Sequence, residues 1–147
     1  MTCLECNKKL SYLDHRQSIE LFQTELCSSH RKRLERLVNK GQVPKEAAIL
    51  YYGLIQAGVK PMIAWWDGTN TVDLAISRVK LNIEIDTGYE ALSHRQAMND
   101  LEAAMHSFKN GFTTIRIPHF LIQNHLQESV ENILGIIEGL RLNVRAV

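Results

Sequence analysis

The chain has 147 residues, of which 45% are hydrophobic and 22% charged, with a formal net charge of +1. That length suits one domain with its own core, or a small domain carrying an appended module. The composition excludes a low-complexity or disordered chain, and the near-neutral total does not by itself announce nucleic acid. No apolar run approaches the roughly 20 residues of a membrane helix. The N-terminal stretch MTCLECNKKL lacks the apolar core of a signal peptide. A cytoplasmic (intracellular) protein with no membrane partner is expected. In a reducing compartment Cys3, Cys6 and Cys27 read as metal ligands ahead of a disulfide framework.

The chain falls into two parts, residues 1–43 and 44–147, with Gly41-Gln42-Val43-Pro44 as the joint. The first part is polar and holds every cysteine. Its ligand types read Cys3-x2-Cys6, then twenty residues, then Cys27-x2-His30. Two short chelating pairs supply four soft or borderline donors, which is what tetrahedral Zn2+ requires. All four positions are filled by protein, so the zinc is expected to be structural. The first pair sits in a turn similar to a zinc knuckle, and the second opens a helix through Arg31–Val38. With a hairpin-length gap between them, the set resembles a treble-clef zinc finger. Arg31, Lys32, Arg33 and Arg36 give that helix a basic face suited to phosphates, or simply to solvent.

The second part reads as an α/β (α+β) unit. A helix, Lys45–Ala57, starts after Pro44 and stops at Gly58, with Ala47, Leu50, Tyr51, Leu54 and Ile55 at helical spacing. Strands follow at Pro61–Trp66, Thr71–Arg78 and Leu81–Asp86, most simply an antiparallel meander. A helix over Ser93–Lys109 carries the apolar stripe Leu92, Met98, Leu101, Met105 and Phe108. Asn110-Gly111 ends it. A fourth strand, Thr113–Ile117, is cut by Pro118, and a last helix spans about Gln123–Leu140.

The strand NIEIDTG places Glu84 and Asp86 on one face and Ile83 and Ile85 on the other. A hairpin near Arg78–Lys80 brings Asp73 of the previous strand beside them. Three facing acids repel unless a cation lies between them or one holds a proton. Oxygen ligands with open positions suit Mg2+ or Mn2+, ions that activate water and neutralise a phosphate under attack. An edge strand that uses charge against aggregation would look similar. Trp65 and Trp66, by the turn before the acid strand, are read as one core residue and one that can stack on a base. His106, His119 and His125 show no ligand spacing.

The element order, with Asp73 on the second strand and an acid pair on the third, resembles the PD-(D/E)xK nuclease superfamily. The stretch TVDLAISRVKLNIEIDTG and the later Asp100, Gly111-Phe112 and Arg116 are similar to small proteins related to the very-short-patch repair endonuclease. The resemblance covers about residues 44–140 and implies a restriction-endonuclease-like core. It also implies metal-dependent hydrolysis of DNA phosphodiesters, with Asp73 and Glu84 as metal ligands and Glu46 as a further acid from the first helix. Members often dimerise, so a homodimer is a possible assembly.

The sequence departs from the motif at Asp86, which stands where a lysine belongs. Lys80 lies on the same strand, about 13 Å from Glu84. His94 and Arg95 are better placed to supply a positive charge. Glu90 occupies a position where that subgroup often has histidine, and the glycine after the acid is displaced to Gly88. Two functions therefore stay open, a DNA endonuclease assisted by its finger and a catalytically inactive nucleic-acid-binding or protein-interaction module. Branched DNA or RNA is an open substrate.

Overall fold

A computed structural model describes residues 1–88 and 93–146, with side chains through residue 143. Glu90 and Leu92 lie outside the described residues. Three helices come first, α1 (Tyr12–Phe22), α2 (Ser28–Asn39) and α3 (Lys45–Gln56). Strands β1 (Met62–Trp66), β2 (Thr71–Ile76) and β3 (Leu81–Asp86) follow, with a 3-10 turn at Ser77–Val79. Then come α4 (His94–Lys109), β4 (Thr113–Pro118), α5 (His119–Asn124) and α6 (Leu126–Ala146).

The four strands form one sheet in the order β1-β2-β3-β4. The first three make the expected antiparallel meander, while β4 lies parallel to β3. A parallel neighbour needs a crossover, and α4 provides it. Helices α3, α5 and α6 cover one face. Their Ala47, Leu50, Leu54, Ile122, Val130, Ile133 and Ile137 close over Leu74, Ile76, Leu81, Ile83, Ile85 and Ile117 of the sheet. Alternation along β3 explains the division, because Ile83 and Ile85 enter this core and Glu84 does not.

A second cluster ties the N-terminal part to the rest. Cys3, Leu10, Phe22, Leu26, Cys27 and Leu34 pack against Ala48 and Tyr52 of α3. Helix α3 thus serves two cores. The boundary at residues 43–44 is visible in the chain, but the packing continues across it.

Four sequence expectations change. The gap between the cysteine pairs, read from the sequence only as hairpin-length, contains α1, capped by the Ser11 side chain. The strand contribution there reduces to one bridge, Thr2 to Lys9. The last helix is two, because the chain departs from helical geometry at His125. Strand β4 runs through Pro118 and passes directly into α5, whose first residue follows it.

The fourth change concerns α4. Its N-terminus carries a capping box, with Ser93 accepting from the Gln96 backbone N–H and the Gln96 side chain accepting from Ser93 N–H. Its apolar stripe faces outward, since Met98, Leu101, Met105 and Phe108 are all exposed and Ser107 is its one buried residue. Asn82 donates to Ser107 at 3.4 Å, and Thr69 pairs with His106 at 3.0 Å. Periodicity reports that a helix is amphipathic, and it does not say what covers the apolar side.

Candidate metal centre and acidic cleft

The knuckle forms because Cys3 N–H donates to Lys8 and its carbonyl accepts from Asn7, which adopts a positive φ of 61°. This fold-back brings Cys3 and Cys6 together. Leu4 N–H reaches Glu25 and draws the loop before α2 alongside. Cys27 is the residue just before α2, and His30 lies within its first turn. The donor atoms of Cys3, Cys6, Cys27 and His30 all lie within 4.8 Å of one another.

The spacing fits a tetrahedral ion. With Zn–S near 2.3 Å and Zn–N near 2.0 Å, neighbouring donors sit about 3.8 Å apart for two sulfurs and about 3.5 Å for sulfur and nitrogen. Cys6 and Cys27 sulfurs are 3.9 Å apart, and His30 Nδ1 is 3.5 Å from Cys3 Sγ and 3.1 Å from Cys27 Sγ. Burial opposes ionisation of Cys3, yet the backbone N–H groups of Cys27, Cys6 and Glu5 outweigh it and bring its thiol down to about 6. A thiolate is the form that binds a metal. The cluster is therefore able to hold a metal ion such as zinc.

Glu5 completes this centre, and ligand spacing did not single it out. One carboxylate oxygen lies 3.1 Å from His30 Nε2, which orients the ring so that Nδ1 faces the sulfurs. The other accepts from Arg33 at 2.9 Å and from the Tyr52 hydroxyl at 3.0 Å. Burial, followed by the charge of Glu5, keeps the Tyr52 hydroxyl protonated. Glu5 thereby ties the centre to α3. The basic face is smaller than the sequence suggests. Arg31 is buried between Asp14 and Glu35, Arg33 is half exposed and engaged by Glu5, and Lys32 and Arg36 remain at the surface.

The acids gather elsewhere. Strands β2 and β3 pair as far as Leu74 opposite Ile83 and then part. Where they part, the Asp73 carboxylate accepts the Ile85 N–H at 2.8 Å, replacing a ladder bond with a side-chain one. On the other side, Ala64 of β1 lies between the pairs Ile63–Leu74 and Trp65–Val72 and has a φ of 52°. A non-glycine residue rarely adopts that conformation inside a strand. Asp73 is thus held where the sheet is locally irregular on both sides.

Asp73 and Glu84 share a hydrogen bond between their side chains. Burial raises both. For Glu84, burial and then the neighbouring Asp73 charge push the carboxyl up to about 8. For Asp73, the Ile85 N–H and the hydrogen bond from Glu84 oppose the rise. Two acids so close hold one proton between them near neutral pH. Arg116 of β4 lies directly opposite Glu84 in the parallel register, and its charge favours ionisation of both acids.

These groups line one cleft of about 1020 Å3, which also admits Lys45, Glu46, Asp86, Asp100 and Gln123. Glu46 is buried in the first turn of α3, at the favourable end of the helix dipole, and accepts from Gln123 at 2.7 Å. Asp86 is exposed at the rim and accepts from Gly88 N–H at 3.1 Å. Asp100 of α4 lies 3.5 Å from Arg116. Of the expected acids, Asp73 and Glu84 come together, while Asp86 and Glu46 line the same cleft without joining them in one convergent set. His94 and Arg95 do not line the cleft; both are exposed at the start of α4. Lys80 follows the 3-10 turn at the opposite end of β3. Among the described residues, Arg116 and Lys45 are the cations that reach the cleft.

Spacing in the sequence gives Arg116, Lys45 and Gln123 no functional role. The signal for Arg116 was the β3–β4 register, which follows only once the strands are known to be parallel. Among the described residues no helix is long and apolar enough to cross a membrane. No protein-family model, no curated protein and no solved structure matches the chain, so the cleft is interpreted from its own chemistry.

Proposed function

We propose that the protein is a metal-dependent nuclease that hydrolyses phosphodiester bonds of DNA, with the N-terminal metal centre helping to hold the nucleic acid. The observation that carries this reading is the Asp73–Glu84 pair, two carboxylates brought together by β2 and β3 in the wall of an open cleft. Such a pair is costly with both groups charged and becomes favourable when a divalent cation takes the place of the proton. The donor set is hard oxygen throughout, which suits Mg2+ or Mn2+. When bound, the ion would supply charge neutralisation at the phosphate and a more acidic water.

The chain's own residues do the rest. Asp73, anchored on Ile85 N–H, and Glu84 would hold the ion. Glu46, positioned by Gln123, faces the same space and can accept a proton or orient water. Arg116 lies opposite Glu84 and can meet the negative charge that develops on a phosphate. It therefore replaces His94 and Arg95 as the candidate for the positive charge that the motif assigns to lysine. The end of the finger region, Val38 and residues 41–43, borders the cleft. Lys32 and Arg36 are exposed on the helix leading there, which suits contact with a phosphate backbone. This arrangement supports a restriction-endonuclease-like core of the PD-(D/E)xK kind.

A second reading is a non-catalytic nucleic-acid-binding or protein-interaction module on the same fold. Asp86 favours it, because an exposed acid stands where the motif has a lysine. Plasmid, single-stranded, branched DNA and RNA substrates, each with Mg2+, Mn2+ or chelator, separate the two. A nuclease cuts at least one substrate in a divalent ion and stops with chelator. Salt-sensitive binding without cutting of any substrate supports the module.

A further inference from the structure

We infer that the space between α4 and the sheet is a pocket for one unpaired nucleobase carrying an exocyclic amino group. The inference rests on the nuclease reading for the class of ligand and names the part of the substrate that enters here. A cavity of about 520 Å3 lies between the helix and the strands, within the range of small-molecule sites. Its floor includes two cross-strand pairs in register, Asn82 with Thr114 and Glu84 with Arg116. Its roof is α4, which turns Ala97, Ala103, Ala104 and Ser107 toward the gap. Side chains this short leave the gap unfilled. Asn82 makes it more than a packing defect. It is 2% exposed, its Nδ2 donates to Ser107 Oγ at 3.4 Å, and its Oδ1 accepts from no group among the described residues. A buried acceptor without a donor is costly, and the cavity is far larger than one water needs.

The walls choose the ligand. Val72 and the alanines of α4 are apolar and suit the faces of a flat ring. The polar groups are rich in acceptors, chiefly Asn82 Oδ1 and the Asp67 carboxylate. Asp67 is held in place by the N–H groups of Thr69 and Asn70, at 2.8 and 2.7 Å. Acceptors call for a donor. Adenine and cytosine present an amino group where thymine presents a carbonyl oxygen. A paired base has that amino group occupied and stays in its stack, so the base that enters is unpaired. The rest of the nucleotide has a place as well. Glu84, Asp100 and Arg116 line both this cavity and the acidic cleft. Asn82 and Glu84 lie two residues apart on one strand face, about 7 Å, the scale that separates a base from its own phosphate. A base at Asn82 thus puts its phosphate beside Arg116 and the acids.

Calorimetric titration of deoxycytidine, deoxyadenosine and thymidine into the full, zinc-loaded chain, with no Mg2+ or Mn2+ added, tests this. Deoxycytidine or deoxyadenosine should bind with a Kd of about 1 mM or below, and thymidine at least about tenfold more weakly. Asn82→Leu keeps the volume but removes the acceptor, and the preference over thymidine should disappear. Ala104→Leu fills the cavity from the helix side and should weaken binding at least about tenfold, with circular dichroism and zinc content unchanged. Absence of binding, thymidine bound as well as the other two, or binding indifferent to both substitutions overturns the inference. Free nucleosides contain no phosphodiester, so this readout is separate from cleavage. A chain that binds the base and cuts nothing overturns the nuclease reading and keeps the pocket. A chain that cuts but binds no nucleoside overturns the pocket alone.

Discussion

The two clusters of potential metal ligands are built on opposite plans. In the N-terminal centre, four donors converge within 4.8 Å and a carboxylate outside them fixes the one ring that could turn. Nothing is left open, which is the pattern of a site that holds a fold together. In the cleft, two acids share a hydrogen bond, a third sits exposed at the rim, and a fourth is tied to an amide. Among the described residues the acids do not close into a convergent set of three or more, as the cysteines and histidine do. The first arrangement encloses the space between its donors, whereas the second leaves open space beside its acids.

The largest effect should come from breaking the closed site. Cys27→Ser removes a donor from a region whose core is small, and the expected outcome is loss of the bound metal and unfolding of residues 1–43. Because Tyr52 and Ala48 belong to the same cluster, α3 should lose support as well, lowering the melting temperature by about 10 °C or more. Metal analysis and thermal denaturation measure both. A variant that keeps its metal and its melting temperature shows that the centre is not structural.

Next in size is the open site. Asp73→Asn and Glu84→Gln should each reduce cleavage by about 100-fold or more while leaving the fold and the zinc in place. Loss of structure in these variants would blur the contrast between the two sites, so circular dichroism belongs beside the rate. A smaller effect is expected at Glu5. Glu5→Gln keeps the shape but weakens the hold on His30, and affinity for zinc should fall about 10- to 100-fold by competition with a chelator.

The smallest effect concerns protons. The folded chain raises Glu84 from 4.5 to about 8 in the absence of metal. It therefore binds this proton more tightly than the unfolded chain. The associated stability is present below the unfolded value and lost as pH rises through about 8. Glu84→Gln has no such loss. Between about pH 5 and about pH 9, its melting temperature should gain about 5 °C relative to wild type. An equal difference at both ends would mean that Glu84 is not the group with the raised proton affinity.

The comparison also shows what a sequence can disclose. The closed site was legible because its ligands are close in the chain, as Cys3-x2-Cys6 and Cys27-x2-His30, and because donor type alone points to a metal. The Asp73–Glu84 pairing was legible too, since alternation and one hairpin are local rules. The parts that were missed depend on distant segments. Arg116 reaches Glu84 through a parallel register that no hairpin dictates. Gln123 reaches Glu46 across 77 positions of chain. Tyr52 reaches Glu5 from another part of the molecule. Helix α1 was hidden because only Ser18 and Phe22 of its residues are buried, too few for a clear periodic signal. In α4 the periodic signal was strong, but the apolar stripe faces outward.

The most direct measurement of the central claim is cleavage of DNA by the zinc-loaded full chain across a Mn2+ titration, with Glu84→Gln alongside. The account predicts cutting that rises with Mn2+ to saturation and falls about 100-fold or more in the variant, with zinc content equal in both. A folded wild-type chain that cuts no DNA at any Mn2+ concentration, or a variant that cuts as fast as wild type, would contradict it.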